Sequence, residues 1–196
     1  MIEHEKKLML SHAEYTALCV LLDNNLSVTT QTNHYFDTND YSMNQKGITC
    51  RIRESDGKFR TTIKNHGVDH IDSSIESDLE MKELFETCVF DALGLCYQGK
   101  MDTKRMVMHE DDYCKIVLDH NTYLGITDYE LEIEYRAGFE SKALDLLAHL
   151  AVYLHTMHVI SSDEEFFLRA GKGKNKSERF FEVKKERCDL IACNHR

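Results

Sequence analysis

The chain has 196 residues, of which 42% are hydrophobic and 30% are charged, and its formal net charge is −10. This length fits one sizeable domain or two very small ones, and the apolar fraction excludes a disordered chain. The acidic balance argues against a general nucleic-acid binder, because such proteins present a basic surface to phosphates. No apolar run approaches a membrane span, the first residues are charged, and the seven cysteines include no C-x-x-C pair. We therefore expect a cytoplasmic protein with free thiols.

The first predicted element is a strand over residues 2–10, followed by a helix over about 11–24. Glu3, Glu5 and Lys7 share one face of this strand, because strand side chains alternate with a period of two. Two neighbouring carboxylates repel each other unless a cation lies between them, and a lysine beside them suits a phosphate ligand on that cation. A solvent-exposed charged face is the alternative interpretation of the same run.

The remaining predicted elements are mostly strands. Further strands are expected near 26–37, 48–54, 58–65, 68–76, 99–109, 113–121 and 127–135. Helices are expected over about 77–91, 139–156 and 162–169, and from about residue 177 onward. The pattern predicts an α+β fold, an eight-stranded antiparallel closed β-barrel with peripheral helices. We expect a single domain over residues 1–196, in which the C-terminal helices from about residue 139 pack outside the barrel.

Charged side chains recur on one face of several predicted strands. The residues concerned are Arg51, Arg53, Lys64, Glu130, Glu132 and Glu134. A sheet with one solvated face would give the same alternation. If the sheet instead closes into a barrel, these charges line its interior, where acids need metal or basic partners and bases need anions. A metal–polyphosphate complex would satisfy both groups at once.

A series of short motifs resembles the CYTH domain family, also called the triphosphate tunnel metalloenzymes. The E-x-E-x-K run that begins at Glu3 is similar to the family signature. Further similar motifs follow in order at 33–38, 50–53, 62–64, 102–105, 118–125, 128–134 and 174–179. The resemblance extends over nearly the whole chain. It implies a tunnel-shaped barrel, a triphosphate-bearing small molecule as the substrate, and a divalent metal, usually Mg²⁺ or Mn²⁺.

The resemblance also implies roles for individual residues. The implied metal ligands are Glu3, Glu5, Asp119, Glu130 and Glu132. The implied phosphate-binding residues are Lys7, Arg51, Arg53, Lys64, Arg105 and Lys176. The residues expected to carry the catalysis are Glu5, Arg51, Arg53, Glu130 and Glu132, and weaker matches are Glu76 and Glu134. Thr103 departs from the family pattern, because by strand parity it stands where the family has a lysine.

Metal-dependent hydrolysis of a triphosphate is the function that the resemblance implies, with inorganic triphosphate or an organic triphosphate as the substrate. In such reactions, arginine and lysine stabilise the charge on the transferring phosphoryl group. A class IV-type adenylate cyclase is one alternative, and a non-catalytic module that binds polyphosphate or a phosphorylated metabolite is another. We expect no membrane partner. The sequence does not predict the oligomeric state, and a homodimer is one of the options.

Overall fold

A computed structural model describes residues 2–21, 28–66, 73–81 and 88–194 of the chain. In this described part, eight antiparallel strands form a closed barrel in the order β1-β5-β4-β3-β2-β6-β7-β8. The strands are β1 (Ile2–Leu10), β2 (Val28–Asp37), β3 (Ile48–Ser55), β4 (Lys58–Asn65), β5 (Ser73–Met81), β6 (Cys96–Glu110), β7 (Cys114–Tyr123) and β8 (Ile126–Tyr135). The helices are α1 (His12–Val20), α2 (Ser42–Gln45), α3 (Cys88–Ala92), α4 (Glu140–Thr156), α5 (Asp163–Arg169) and α6 (Lys176–Asn194). The predicted antiparallel sheet with helices is confirmed.

Two local features of the sequence explain where elements of the fold begin and end. Asp56 and Gly57 link β3 to β4, and both adopt positive φ angles, of 50° and 69°. This conformation matches the twist of a two-residue hairpin, and glycine adopts it without a steric penalty. At the start of α1, the Ser11 side chain accepts a hydrogen bond from the Glu14 backbone N–H, and Glu14 accepts one from the Ser11 backbone N–H. This reciprocal pair is a capping box.

The segment around β5 differs from the prediction. A strand was expected near 68–76 and a helix over 77–91, but residues 73–81 form one strand. The helix prediction is therefore wrong over 77–81, where the backbone pairs with β4 from Phe59 to Ile63. Barrel closure requires a strand between β4 and β1, and this pairing overrides the local helical pattern. Helix α3 covers only the end of the predicted helix, and residues 67–72 and 82–87 lie outside the described part of the chain.

The largest apolar cluster of the described residues lies outside the barrel wall. Along β8, Leu131 and Ile133 pack outward, into a cluster that includes Leu147 of α4 and Phe166 of α5. Because strand side chains alternate, this outward packing fixes the neighbouring residues, such as Glu132, on the interior face. Leu147, Ala151 and Leu154 of α4 are buried in the same cluster, whereas Leu144 is exposed.

Helix α6 packs against interior-facing side chains of the barrel. Phe180 and Phe181 are buried with Tyr35 of β2 and Met101 of β6. Gly99 makes this approach possible, because a Cβ atom at this position would lie 2.8 Å from the Phe180 ring. The packing directs the first turn of α6 toward the barrel interior. No helix in the described ranges is long and apolar enough to cross a membrane.

Candidate functional site

A cavity of about 160 Å³ is lined by interior side chains of six strands and by the first turn of α6. Its charged lining residues are Glu5, Lys7, Arg51, Arg53, Arg60, Lys64, Arg105, Glu132, Glu134 and Lys176. Seven are lysines or arginines and three are glutamates, although the whole chain has a net charge of −10. The other lining residues include Tyr35, Thr49, His66 and Ser177. The lining is therefore strongly basic inside an acidic protein, and it suits an anionic ligand.

Most of the residues selected from the sequence meet in this cavity. Those that line it are Glu5, Lys7, Arg51, Arg53, Lys64, Arg105, Glu132, Glu134 and Lys176. Asp119 and Glu130 are fully buried next to it, where both pair with Lys176. The side chains of Glu3 and Glu76 lie outside the described residues, although the backbone places Glu76 opposite Lys64.

The two lysines of β1 lie on opposite faces of the barrel wall. Lys7 Nζ lies 3.0 Å from Glu5 Oε1 and 3.7 Å from Glu132 Oε1 inside the barrel, whereas Lys6 Nζ pairs with Glu140 of α4 at 2.9 Å. Burial alone would lower the pKa of Lys7, but the carboxylates of Glu132 and Glu5 outweigh it and raise this pKa. Lys7 is therefore a permanently charged member of the cavity lining.

Thr103, at the departure from the family pattern, is buried and donates a hydrogen bond to Asn121 Oδ1 at 2.7 Å. The neighbouring Lys104 is exposed on the outer face. Arg105 lines the cavity and donates to Asp119 at 2.9 and 2.6 Å and also to Glu132. Strand β6 thus contributes a single cation, Arg105, to the described cavity.

Three buried carboxylates cluster around the Lys176 ammonium group. Its Nζ atom lies 2.9 Å from Asp119, 2.8 Å from Glu130 and 2.7 Å from Glu132. Burial alone would lower the pKa of Lys176, but the three carboxylates outweigh it and raise this pKa. Burial would likewise raise the pKa of Glu132, yet Lys176, Arg105 and Lys7 hold it well below its usual range. Glu132 is therefore ionised, and cations from three separate elements pair with it.

The same carboxylates fit a divalent metal. Asp119, Glu130 and Glu132 each offer an oxygen atom, and these atoms lie within 4.8 Å of one another. Among the described residues, the buried Oε1 atom of Glu130 has no hydrogen-bond partner. No hydrogen-bond donor in the described part of the chain therefore competes with a metal for this oxygen. Mg²⁺ and Mn²⁺ prefer carboxylate oxygens, so this donor set matches the predicted metal.

Several lining residues were missed in the sequence. Arg60 and His66 share the strand parity of Lys64, so the period-two rule extended along β4 would have found them. Thr49 shares the parity of Arg51 in the same way. Asn175 and Ser177 lie within the motif at 174–179, but strand parity does not apply to them, and the packing of α6 against β2 and β6 brings them to the cavity.

Comparison with known proteins agrees with this geometry. Residues 1–150 match the family model of the CYTH domain. The chain belongs to the CYTH domain family. A Bacillus subtilis (strain 168) protein named "Putative triphosphatase YjbK" is 30% identical to this CYTH chain over 200 residues, covering 94% of this chain and 97% of that protein.

Solved structures show the same CYTH fold. A protein from Bacillus halodurans, described as a putative adenylate cyclase, is 25% identical with a TM-score of 0.66, and the match covers 91% of this chain and 97% of that one. A Hippeastrum protein, described as a putative adenylyl cyclase with a dominant triphosphatase activity, is 21% identical with a TM-score of 0.57. That match covers 81% of this CYTH chain and 88% of the Hippeastrum chain.

Proposed function

We propose that this protein hydrolyses a triphosphate inside the barrel in a reaction that depends on a divalent metal. The observation that supports this most directly is the lining of the cavity, where seven basic side chains face three glutamates beside a buried carboxylate cluster. A metal–triphosphate complex matches this lining, because its phosphates pair with the cations and its metal with the carboxylates. The name of the B. subtilis relative supports the same reaction.

The basic residues bind and orient the phosphates. Arg51 and Arg53 project from the same face of β3 and present planar guanidinium groups, which match two phosphate oxygens at a time. Lys7 and Lys64 act as compact positive charges on β1 and β4. These groups stabilise charge on the phosphoryl group as it is transferred, and the burial of Arg51 and Lys64 reduces the screening of their charges by water.

The carboxylates that would hold the metal are Asp119, Glu130 and Glu132, with Glu5 on the neighbouring strand. When bound, a divalent metal neutralises phosphate charge and polarises phosphate oxygens. Glu5 is already suited to this role: burial alone would raise its pKa, but Lys7 and Lys64 outweigh that effect and keep the carboxylate ionised. Either Mg²⁺ or Mn²⁺ fits an all-oxygen site of this kind.

The cavity favours a short phosphate chain over a large organic molecule. Its volume of about 160 Å³ is below the roughly 300–1,000 Å³ of pockets that enclose drug-sized ligands. The phosphate chain would occupy the interior, and any organic group would extend beyond it.

We also propose that residues 1–196 act as one domain, because Lys176 and Ser177, beyond the matched residues 1–150, complete the cavity.

The test is phosphate release from inorganic triphosphate, ATP and thiamine triphosphate with Mg²⁺, with Mn²⁺ and with a chelator. We expect metal-dependent turnover by the wild type and a loss of about 100-fold or more for Glu5→Ala. Equal, metal-independent rates for both proteins would contradict the proposal.

Adenylate cyclase activity is the second candidate, because the B. halodurans protein carries that description at 25% identity. Cyclic AMP and diphosphate among the products from ATP would identify a cyclase, whereas ADP and orthophosphate would identify a hydrolase. Tight binding of triphosphate without any product would identify a binding module.

A further inference from the structure

His66 is the one imidazole among the residues that line the described cavity. It follows directly after β4, and its backbone N–H donates to the carbonyl oxygen of Gly47 at 2.9 Å. This bond continues the pairing of β4 with β3 by one residue and holds the ring on the interior face, two residues beyond Lys64. The position of the ring is therefore fixed by the barrel wall.

A chain of hydrogen bonds determines which ring nitrogen carries the proton. His66 Nε2 lies 3.1 Å from Thr49 Oγ1, and Thr49 Oγ1 lies 2.5 Å from Ser177 Oγ. Ser177 Oγ in turn donates to Asn175 Oδ1 at 2.7 Å. That atom is an acceptor, because it also receives the backbone N–H of Glu178 at 3.0 Å.

Each hydroxyl has only one proton to donate, so the direction of the chain follows from its end. The Ser177 hydroxyl donates its hydrogen bond to Asn175, so it must accept one from Thr49. The Thr49 hydroxyl therefore donates to Ser177 and must accept a hydrogen bond from His66. The proton of a neutral His66 is consequently on Nε2, which leaves Nδ1 with an unprotonated lone pair.

The surroundings keep this imidazole neutral. Burial, together with the positive charges of Lys64, Lys7 and Arg51, lowers the pKa of His66 to about 4, against a smaller opposing effect of Glu5. An anionic ligand that pairs with these cations cancels much of their effect and returns the ring toward its ordinary basicity. The lone pair thus becomes more basic when phosphate is bound.

The other candidate bases of the cavity are already engaged. Glu5 pairs with Lys7 and Lys64, and Glu132 pairs with Lys176, Lys7 and Arg105. Glu134 Oε1 lies 3.8 Å from Arg105. Burial raises the pKa of Tyr35, so its phenol stays protonated. His66 is the lining residue whose chemistry is best suited to accept a proton.

We propose that His66 is the general base for the water that attacks the terminal phosphorus, an assignment that rests on the hydrolysis proposed above. One O–H bond of the water breaks and its proton moves to Nδ1, while the water oxygen forms a bond to phosphorus. The bridging P–O bond breaks, and its electron pair stays on the departing diphosphate oxygen, which the cavity cations stabilise. Orthophosphate and diphosphate are the products from inorganic triphosphate, and His66 then releases its proton to solvent. Thr49 and Ser177 position the ring.

Steady-state kinetics of His66→Gln test this assignment. Glutamine retains an N–H donor at the distance of Nε2 but cannot act as a base. We expect kcat to fall by about 10²- to 10⁴-fold with KM changed by less than about threefold, and the acidic limb of the kcat–pH profile to disappear. The exposed His149 of α4 provides the control, since His149→Gln should leave both constants unchanged. Imidazole in the buffer should restore part of kcat to His66→Ala.

Two outcomes would overturn the base assignment alone. One is a wild type that turns over while His66→Gln retains kcat within about threefold. The other is a variant that loses kcat but keeps the acidic limb, with no rescue by imidazole. Absence of turnover by the wild type would instead overturn the proposed hydrolysis and the assignment with it. Nitrogen-15 NMR of the ligand-free protein gives an activity-independent result: a protonated Nε2 is expected at pH 7, and a protonated Nδ1 would contradict the hydrogen-bond chain.

Discussion

At the level of single residues, Glu132 links the two charged regions of the interior. It lines the cavity, and it also belongs to the buried carboxylate cluster with Asp119 and Glu130. Its partners Lys7, Arg105 and Lys176 come from β1, β6 and α6. A ligand that draws any one of these cations toward a phosphate also frees carboxylate oxygens for a metal. Phosphate binding and metal binding are therefore expected to reinforce each other.

The adjacent lysines of β1 give a matched pair of variants. Lys7→Met removes a charge from the cavity, whereas Lys6→Met removes one that pairs with Glu140 on the outer face. A hydrogen bond to a charged group contributes about 1.5–3 kcal/mol, so Lys7→Met should weaken triphosphate binding about 10- to 100-fold. Lys6→Met should change it less than about twofold. Isothermal titration with inorganic triphosphate measures both, and equal effects would contradict the assignment of Lys7 to the interior face.

His66 also gives a prediction for stability. Its folded-state pKa of about 4 lies below the ordinary value of about 6.5, so between these pH values the unfolded chain binds a proton that the folded chain does not. The free energy of unfolding should consequently fall as pH is lowered from 6.5 toward 4, by at most about 3 kcal/mol. Denaturant titrations of the wild type and His66→Gln at several pH values measure this. Identical slopes for the two proteins above pH 4.5 would contradict the prediction.

At the level of secondary-structure elements, α6 completes the interior. Its aromatic residues pack on β2 and β6, and its first turn delivers Lys176 to the carboxylate cluster and Ser177 to the hydroxyl chain. Arg179, on the same helix, donates to Glu130 at 2.8 Å and to Asp128 at 2.9 Å. The helix is thus held by ion pairs at the same carboxylates that would bind a metal.

Lys176→Met tests this double role of α6. Removing one partner of a buried ion pair lowers the free energy of unfolding by about 3–5 kcal/mol. Without metal, the variant should therefore unfold at a lower denaturant concentration than the wild type. Mn²⁺ should restore part of that loss, because it supplies the missing positive charge to Asp119, Glu130 and Glu132. The exposed Lys174, which pairs with Glu182, provides the control variant Lys174→Met. A Mn²⁺ stabilisation no larger in Lys176→Met than in the control would contradict this view of the cluster.

The elements also show what could be predicted from the sequence. Alternation along β1, β3, β4 and β8 gave the strands and the residues that face inward, because parity alone decides the face of a strand. The secondary-structure prediction failed for residues 77–81, because their local pattern is helical and only pairing with β4 makes them a strand. The burial of Lys176 and the contact of Ser177 with Thr49 depend on tertiary packing between distant segments, which no local pattern contains.

At the level of the whole molecule, the barrel separates a basic interior from an acidic exterior. The net charge is −10, yet the cavity is lined by seven lysines and arginines against three glutamates. Strand β1 closes the barrel by pairing with both β5 and β8, and it contributes Glu5 and Lys7 to the interior. Closure of the barrel and assembly of the site therefore depend on the same strand.

The most direct test of this account is a crystal structure with Mn²⁺ and imidotriphosphate, a triphosphate analogue that resists hydrolysis. We predict that the phosphates lie in the cavity against Lys7, Arg51, Arg53 and Lys64. An anomalous-scattering peak for Mn²⁺ should lie between the phosphates and the carboxylates of Glu5, Glu130 and Glu132. A cavity without the analogue at saturating concentration, or a metal peak away from these carboxylates, would contradict the account.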